Sequence, residues 1–284
     1  MRSIACIIVF AALIGLAPAA FGSGFTFSTI DVPGASSTEA LGINNAGQIV
    51  GFFKDNIGSG QHGFLYDRGT FATIDVLGAA ATIPFGINNA GQIVGTTATT
   101  SGIHGFLYDG GIFTTIDVPG AQETEAYGIN DAGQIVGDFV DNAGLHGFLY
   151  DRGTFTTIDV PGAQSTQAFG INDSGHIVGV FDTPPVGHQR LGFLYDGGTF
   201  TTIDVPGATS FTVAFGINNA GRIVGVFDNP QNRGFLYDRG TFTAVDVLGA
   251  ATICFGINDP GRIVGEFNDG VKGIQGFLAT RRSR

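Results

Sequence analysis

One set of landmarks recurs six times along this chain, and that periodicity constrains the fold more than any other feature. Gly-Ile-Asn begins at Gly42, Gly86, Gly128, Gly170, Gly216 and Gly256, at steps of 44, 42, 42, 46 and 40 residues. Ile-Val-Gly follows each time, ending at Gly51, Gly95, Gly137, Gly179, Gly225 and Gly265. Gly-Phe-Leu begins at Gly63, Gly105, Gly147, Gly192, Gly234 and Gly276. An acid in Ile/Val-Asp-Val falls at Asp31, Asp75, Asp117, Asp159, Asp204 and Asp246.

Each repeat reads as four short strands. Strand a carries Ala-Phe-Gly-Ile-Asn, as at Ala168–Asn172, and strand b carries Ile-Val-Gly, as at His176–Gly179. Strand c carries Gly-Phe-Leu-Tyr, as at Gly192–Tyr195, and strand d runs Thr199–Val205. Adjacent apolar residues in b and c fit sheets buried on both faces, whereas d alternates like a half-exposed outer strand. Asn-Asn-Ala-Gly between a and b is expected to form a type II turn, on the model of Asp259-Pro260-Gly261. Asp-Arg-Gly between c and d, as at Asp151-Arg152-Gly153, is expected to be a three-residue type I hairpin closed by glycine.

Four antiparallel strands in about 42 residues match one β-propeller blade. The chain opens with a d strand, Phe25–Val32, and ends with a, b and c strands over Thr252–Ala279, with no d. The expectation is therefore an all-β fold: a six-bladed β-propeller of four-stranded antiparallel blades, closed by the N-terminal strand completing the last blade. An open β-solenoid is the competing architecture, and it leaves the split repeat and the hairpin signals unexplained.

Gly-Ile-Asn-Asn-Ala-Gly-Gln-Ile-Val-Gly, followed by His-Gly-Phe-Leu-Tyr-Asp at His62, His104 and His146, resembles the HAF family of extracellular repeat proteins. That family is named for a His-Ala-Phe motif. Here Gly stands in the Ala slot, and Leu191, Arg233 and Gln275 replace the His in the later repeats. The resemblance covers residues 25–280 and implies export and a propeller-like fold. It implies no activity and transfers no catalytic residue.

Arg2, the apolar run Ile4 to Leu16, and Ala17-Pro18-Ala19-Ala20 have the layout of a secretory signal peptide. Residues 1–20 are thus expected to be removed, leaving 21–284 as the repeat domain, secreted or periplasmic in a bacterial cell, without membrane insertion. Cys254 is then the only cysteine, so no intramolecular disulfide can form. It fills a slot held elsewhere by Ala40, Pro84, Ala126, Ala168 and Ala214, which points to a buried small side chain rather than a nucleophile. A net charge of −11 excludes a nucleic-acid partner, which would need a basic stripe. The 47 glycines follow no Gly-X-Y period, which excludes collagen.

The repeats also differ from one another in an ordered way. The a-to-b step is 9 in all six, and the c-to-d step is 12 wherever both landmarks follow in sequence. The b-to-c steps run 12, 10, 10, 13, 9 and 11, and the d-to-a steps run 11, 11, 11, 11, 12 and 10. In an up-and-down blade the b–c and d–a loops share one face. That face carries the individuality, as binding loops on a rigid scaffold do. Its candidate ligand-binding residues are Glu39, Glu125, Gln167, Asp55, Asp141, Asp182, His188, Arg190, Asp228 and Asp269. Glu39, Glu125 and Gln167 precede the small slot of strand a, so they are placed to rim an axial channel.

No EF-hand, HExxH, Walker or GxSxG pattern occurs, and Asp-x-Gly-Thr-Phe only partly resembles the Asp-box of sialidases. No catalytic residue, metal ligand or cofactor is assigned, calcium being the one ion that loop acids would suit, without a motif behind it. The expected role is a monomeric, non-catalytic binding or scaffold module for an envelope glycan or a protein. The alternative is an extracellular hydrolase or lyase acting on polysaccharide.

Overall fold

The computed structural model describes residues 3–4, 9–11, 24–56, 60–184, 189–247 and 249–282. They form an all-β structure with no helix among them. The twenty-four strands from Phe25 to Arg281 pair antiparallel in the order a-b-c-d, repeat by repeat. Repeats 3, 4 and 5 each form a separate four-stranded sheet, and those of repeats 1 and 2 are joined by one parallel bridge between Gln61 and Ala81. In the last sheet the N-terminal strand Phe25–Ile30 pairs with Ile274–Arg281, Ile30 opposite Gly276 and Phe25 opposite Arg281. Most of the signal segment expected at residues 1–20 lies outside the described residues. Its described parts, Ser3–Ile4 and Val9–Ala11, pair with the outer strands Ile112–Ile116 and Thr70–Ile74.

The apolar core is divided into clusters between neighbouring sheets. Val50 of repeat 1 packs with Ile74, Ile87, Ile93 and Phe106, and Val264 of repeat 6 packs with Ile43, Ile49 and Phe64 of repeat 1. The Phe of Gly-Phe-Leu is almost fully buried in every repeat. This is why strands b and c read as continuous apolar runs: both of their faces are covered.

Strand a carries the feature that shapes the axis. Its ladder with strand b shifts register between the small slot and the Gly of Gly-Ile-Asn in all six repeats. Leu41, Phe85, Tyr127, Phe169, Phe215 and Phe255 are the extra residues in these bulges, which re-aim a side chain. One residue further on, the inner strands converge. A Cβ on Gly170 would lie 2.7 Å from the carbonyl oxygen of Phe215, and one on Gly42 would lie 2.4 Å from that of Phe85. Only glycine fits this neck.

Beyond the neck, Asn44 Nδ2 donates to the carbonyl of Asn88, Asn88 to Asn130, Asn130 to Asn172, Asn172 to Asn218 and Asn218 to Asn258. Asn258 donates back to Asn44 at 3.0 Å, so the ring is closed. A second ring runs from the next backbone N–H to the next side chain, again closing from Asp259 to Asn45.

Three expectations are corrected. The a–b turn closes with Gly261 N–H donating to Asn258, which puts Pro260 third and the positive-φ Gly261 fourth, so it is not a type II turn. The c–d turn has only two loop residues, since Asp67 pairs with Thr70, and both Arg68 and Gly69 have positive φ. That is a type I′ turn, whose twist matches the flanking strands. Finally, strand d ends at Ile203 rather than Val205. Val205 N–H leaves the ladder to donate to the Thr212 hydroxyl of the next repeat, and Thr38, Thr82, Thr124, Thr166 and Thr252 accept in the same way.

Two outcomes follow from this geometry. Deleting Phe25–Ile30 should leave strand c of the last sheet as an unpaired edge and cause association in size-exclusion chromatography. Arg152→Asn should raise stability by about 0.5–1 kcal/mol in denaturant melts, because a left-handed backbone costs arginine about 1–2 kcal/mol and asparagine less.

Candidate binding site at one mouth of the axial cavity

Strand a runs from the variable d–a connection towards the uniform a–b turn, so its residues lie in layers along the axis. The Asn rings belong to the uniform face. Next come the Gly neck and the bulged side chains. Leu41, Phe85, Tyr127, Phe169, Phe215 and Phe255 line a cavity of about 80 Å³. Neighbouring rings touch around it, with centroids 4.9 Å apart for Phe85–Tyr127 and 5.0 Å for Phe215–Phe255. The five aromatic rings are only half-buried, so they present apolar surface to this cavity.

The layer above, towards the variable face, combines two positions per repeat. One is the residue before the small slot in strand a: Glu39, Ile83, Glu125, Gln167, Val213 and Ile253. The other is its partner in strand b: Phe52, Thr96, Asp138, Val180, Val226 and Glu266. Val180, Val213 and Val226 cluster with Ile253 into an apolar arc. The acidic and amide members fall into two groups. Gln167 Nε2 donates to Asp138 Oδ2 at 2.6 Å, and the Tyr127 hydroxyl contacts Glu125 Oε2 at 2.8 Å and Asp138 Oδ2 at 3.2 Å. Arg190 Nη2 donates to Gln167 Oε1 at 2.7 Å. In the second group Glu39 meets Glu266 across the junction of the last and first repeats.

Burial governs the protonation of this rim. It pushes Glu39 up to about 8, reinforced by the Glu266 charge and a hydrogen bond to Glu266, with Lys54 opposing. Burial also raises Glu266, against the proton it accepts from Glu39. Asp138 is pushed up to about 7 by burial, a shift reduced by the Gln167 hydrogen bond and reinforced by Glu125. Burial, with Asp138 and Glu125 beside it, holds the Tyr127 phenol well above its ordinary value.

The structure thus brings Glu125, Gln167 and Arg190 together and places Glu39 at the same layer. Of the remaining candidates, Asp141 and Asp269 are held within their own loops and the others by neighbouring segments of the same repeat or the connection before it. Asp141 accepts from the backbone of Ala143 and Gly144, and Asp269 from Val271 and Lys272. Asp228 accepts from Ser210 and Phe211 backbone and from the Thr209 and Ser210 hydroxyls. Desolvation alone would raise Asp228, but these hydrogen bonds hold it well below the usual carboxylate range. Asp182 accepts from the Ser165 hydroxyl at 2.8 Å and faces Arg190 Nε at 3.7 Å. Asp55 lies 3.8 Å from His62. His188 lies outside the described residues.

The candidates read from the sequence did not include Asp138, Glu266 or Tyr127. The signal available was their departure from the repeat: acids where other repeats have Phe, Thr or Val, and Tyr where others have Phe or Leu. The recurrent histidines have a structural role. His62, His104 and His146 each bond through Nδ1 to the Asp thirteen residues on, at 2.8, 2.9 and 2.7 Å, and Arg233 clasps Asp246 in the fifth repeat. Among the described residues no group of three or more His, Cys, Asp or Glu is arranged to hold a metal ion. Cys254 is fully buried, and burial pushes its thiol well above the ordinary range.

No family model and no curated protein matches this sequence. Solved structures do. The β-propeller domain of the Trilobed protease from Pyrococcus furiosus aligns with a TM-score of 0.56 at 10% identity, covering 100% of this chain and 97% of that one. A gluconolactonase from Xanthomonas campestris gives 0.55 at 12% identity, over 99% and 98% of the two chains. A lectin from Aleuria aurantia, solved with α-methyl-L-fucoside, gives 0.51 at 11% identity, over 88% and 93%. The fold of this chain is a β-propeller.

Two measurements bear on the site. The raised carboxyls bind protons more tightly in the folded state, so unfolding free energy should fall as pH rises from about 4.5 to 8. Each unit of raised pKa contributes at most about 1.4 kcal/mol to that total fall, and Glu39→Gln with Asp138→Asn should flatten the dependence in melts across pH. Cys254 should resist thiol reagents in the native protein and label only on unfolding, whereas rapid labelling would show the thiol exposed.

Proposed function

We propose that this chain is a secreted six-bladed β-propeller of the HAF type, closed by its N-terminal strand, that acts as a binding module through the variable mouth of its axial cavity. The ring of six Asn donors that returns from Asn258 to Asn44 supports the closed six-fold arrangement. One observation carries the functional reading. The positions at which the repeats differ converge on one axial mouth, while the opposite mouth repeats the same Asn hydrogen bonds six times. A fold needs the second pattern; it does not need half-buried Glu39 and Glu266 or buried Asp138, which cost desolvation free energy.

An envelope glycan is the class of partner this reading favours. Half-buried aromatic rings under a hydrogen-bonding rim suit sugar faces, and a lectin shares the scaffold. The second reading is a polysaccharide-acting enzyme, favoured by the proton that Glu39 keeps up to about 8. Its geometry is less suitable. Glycosidase carboxyls stand about 5–10 Å apart with the sugar between them, whereas Glu39 and Glu266 lie directly against each other.

A glycan array and a titration with the strongest hit test the reading. Glu125→Gln together with Gln167→Ala should weaken binding at least about tenfold, the scale of one or two lost hydrogen bonds to charged groups, with circular dichroism and melts verifying that the variant is folded. Asn at Arg68, Arg152 and Arg239, on the uniform face, should leave binding unaltered. Hydrolysis or elimination products from an array polysaccharide would favour the enzyme instead.

A further inference from the structure

The axial cavity is unusual in what it stacks. Its wall is a belt of five aromatic rings and Leu41, and below it the axial space narrows at the Gly neck, where an added side chain would strike the next strand's backbone. Its rim carries four carboxyl groups, Glu39, Glu266, Glu125 and Asp138. The cations near them are Lys54, which acts on Glu39, and Arg190, which is engaged by Gln167 and Asp182. Glu266 Oε2 is buried without a hydrogen-bond partner. Acids therefore outnumber bases above an apolar pocket.

The chemistry that satisfies both layers is specific. A neutral apolar group would fill the belt and leave the rim carboxyls desolvated and holding their protons, whereas a cation beside them would favour their ionised forms. A bare metal ion would suit the rim but not the aromatic wall. An anion would be repelled by the rim. A carbon-bearing cation satisfies both, because aromatic π systems attract organic cations and carboxylates complete the charge balance. The cavity, at about 80 Å³, has room for one such headgroup and not for a whole ligand of the usual pocket size of about 300–1,000 Å³.

We propose that the aromatic cup binds an organic ammonium group, with Phe85, Tyr127, Phe169, Phe215 and Phe255 around it and Glu39, Glu266, Glu125 and Asp138 above it. This rests on the reading of the mouth as a binding site and names the chemistry of what enters. The group has two sources consistent with that reading: a free methylated amine, or the amine of an amino sugar in a glycan.

The test is calorimetric titration of the full chain with four probes. Choline represents the free amine and glucosamine the sugar. The controls are 3,3-dimethylbutanol, the uncharged carbon isostere of choline, and N-acetylglucosamine, whose amine is neutralised. At least one ammonium probe should bind about tenfold or more tighter than its neutral control. Which probe binds identifies the source. Phe169→Leu keeps apolar bulk but removes a π face, and should weaken the ammonium probe about threefold or more without touching the control. Glu266→Gln should weaken it similarly, and melts of both variants verify folding. Equal binding of charged and neutral members overturns the proposal, as does binding of neither. If the ammonium probes fail while an array glycan binds and is lost in the Glu125→Gln, Gln167→Ala variant, the ammonium assignment is wrong and the mouth stands. If the glycan also fails, both are wrong.

Discussion

Everything in this molecule depends on six inner strands converging until their backbones touch. At that radius a Cβ would lie under 3 Å from the next carbonyl oxygen, so glycine is obligatory at Gly42, Gly86, Gly128, Gly170, Gly216 and Gly256. Close approach in turn lets each Asn reach the carbonyl of the next repeat and form a closed ring of hydrogen bonds. The same convergence leaves no room for a regular ladder. Each strand a therefore bulges one residue before the glycine and turns that residue into the axis. The aromatic belt is the by-product of a packing problem, and it supplies the floor of the candidate site.

The two faces then experience different constraints. On the uniform face Asn, Asp and Gly are fixed by turn geometry, by the Asn rings and by contacts such as that of Gln48 with Asn44 at 2.8 Å. A change there breaks a ring that runs through all six repeats. On the other face the loops are fastened locally, by an Asp onto its own backbone or by a Thr hydroxyl onto the preceding connection. Loops fastened to near neighbours rather than into a ring through all six repeats can change length without disturbing the scaffold, and their b–c steps do vary.

The mouth shows the energetic cost of departing from the repeat. Val180, Val213 and Val226 show what the layer looks like when packing alone decides: a buried apolar arc. Glu39, Glu266 and Asp138 occupy the equivalent positions elsewhere, and burial holds all three above the ordinary carboxylate range. The layer is thus half core and half polar site. Tyr127 joins the two, its ring in the aromatic belt and its hydroxyl on Glu125 and Asp138.

The sequence by itself determined the strand order, the surplus N-terminal strand that pairs with the last sheet, the burial of Cys254 and the division into a uniform and a variable face. These are properties of a repeating local ladder, and six copies of one pattern expose them. The type I′ turns at Arg68 and Arg152 were not legible, because Asp-Arg-Gly suits a two- or a three-residue loop until the pairing of Asp67 with Thr70 fixes the register. The His–Asp clasps needed the outer strand to be laid beside strand c. Above all, the meeting of Glu39 with Glu266 joins residues from nearly opposite ends of the chain. Only closure of the ring brings them into contact. Contacts between repeats depend on how the sheets are wrapped about an axis, and a one-dimensional period carries no record of that curvature.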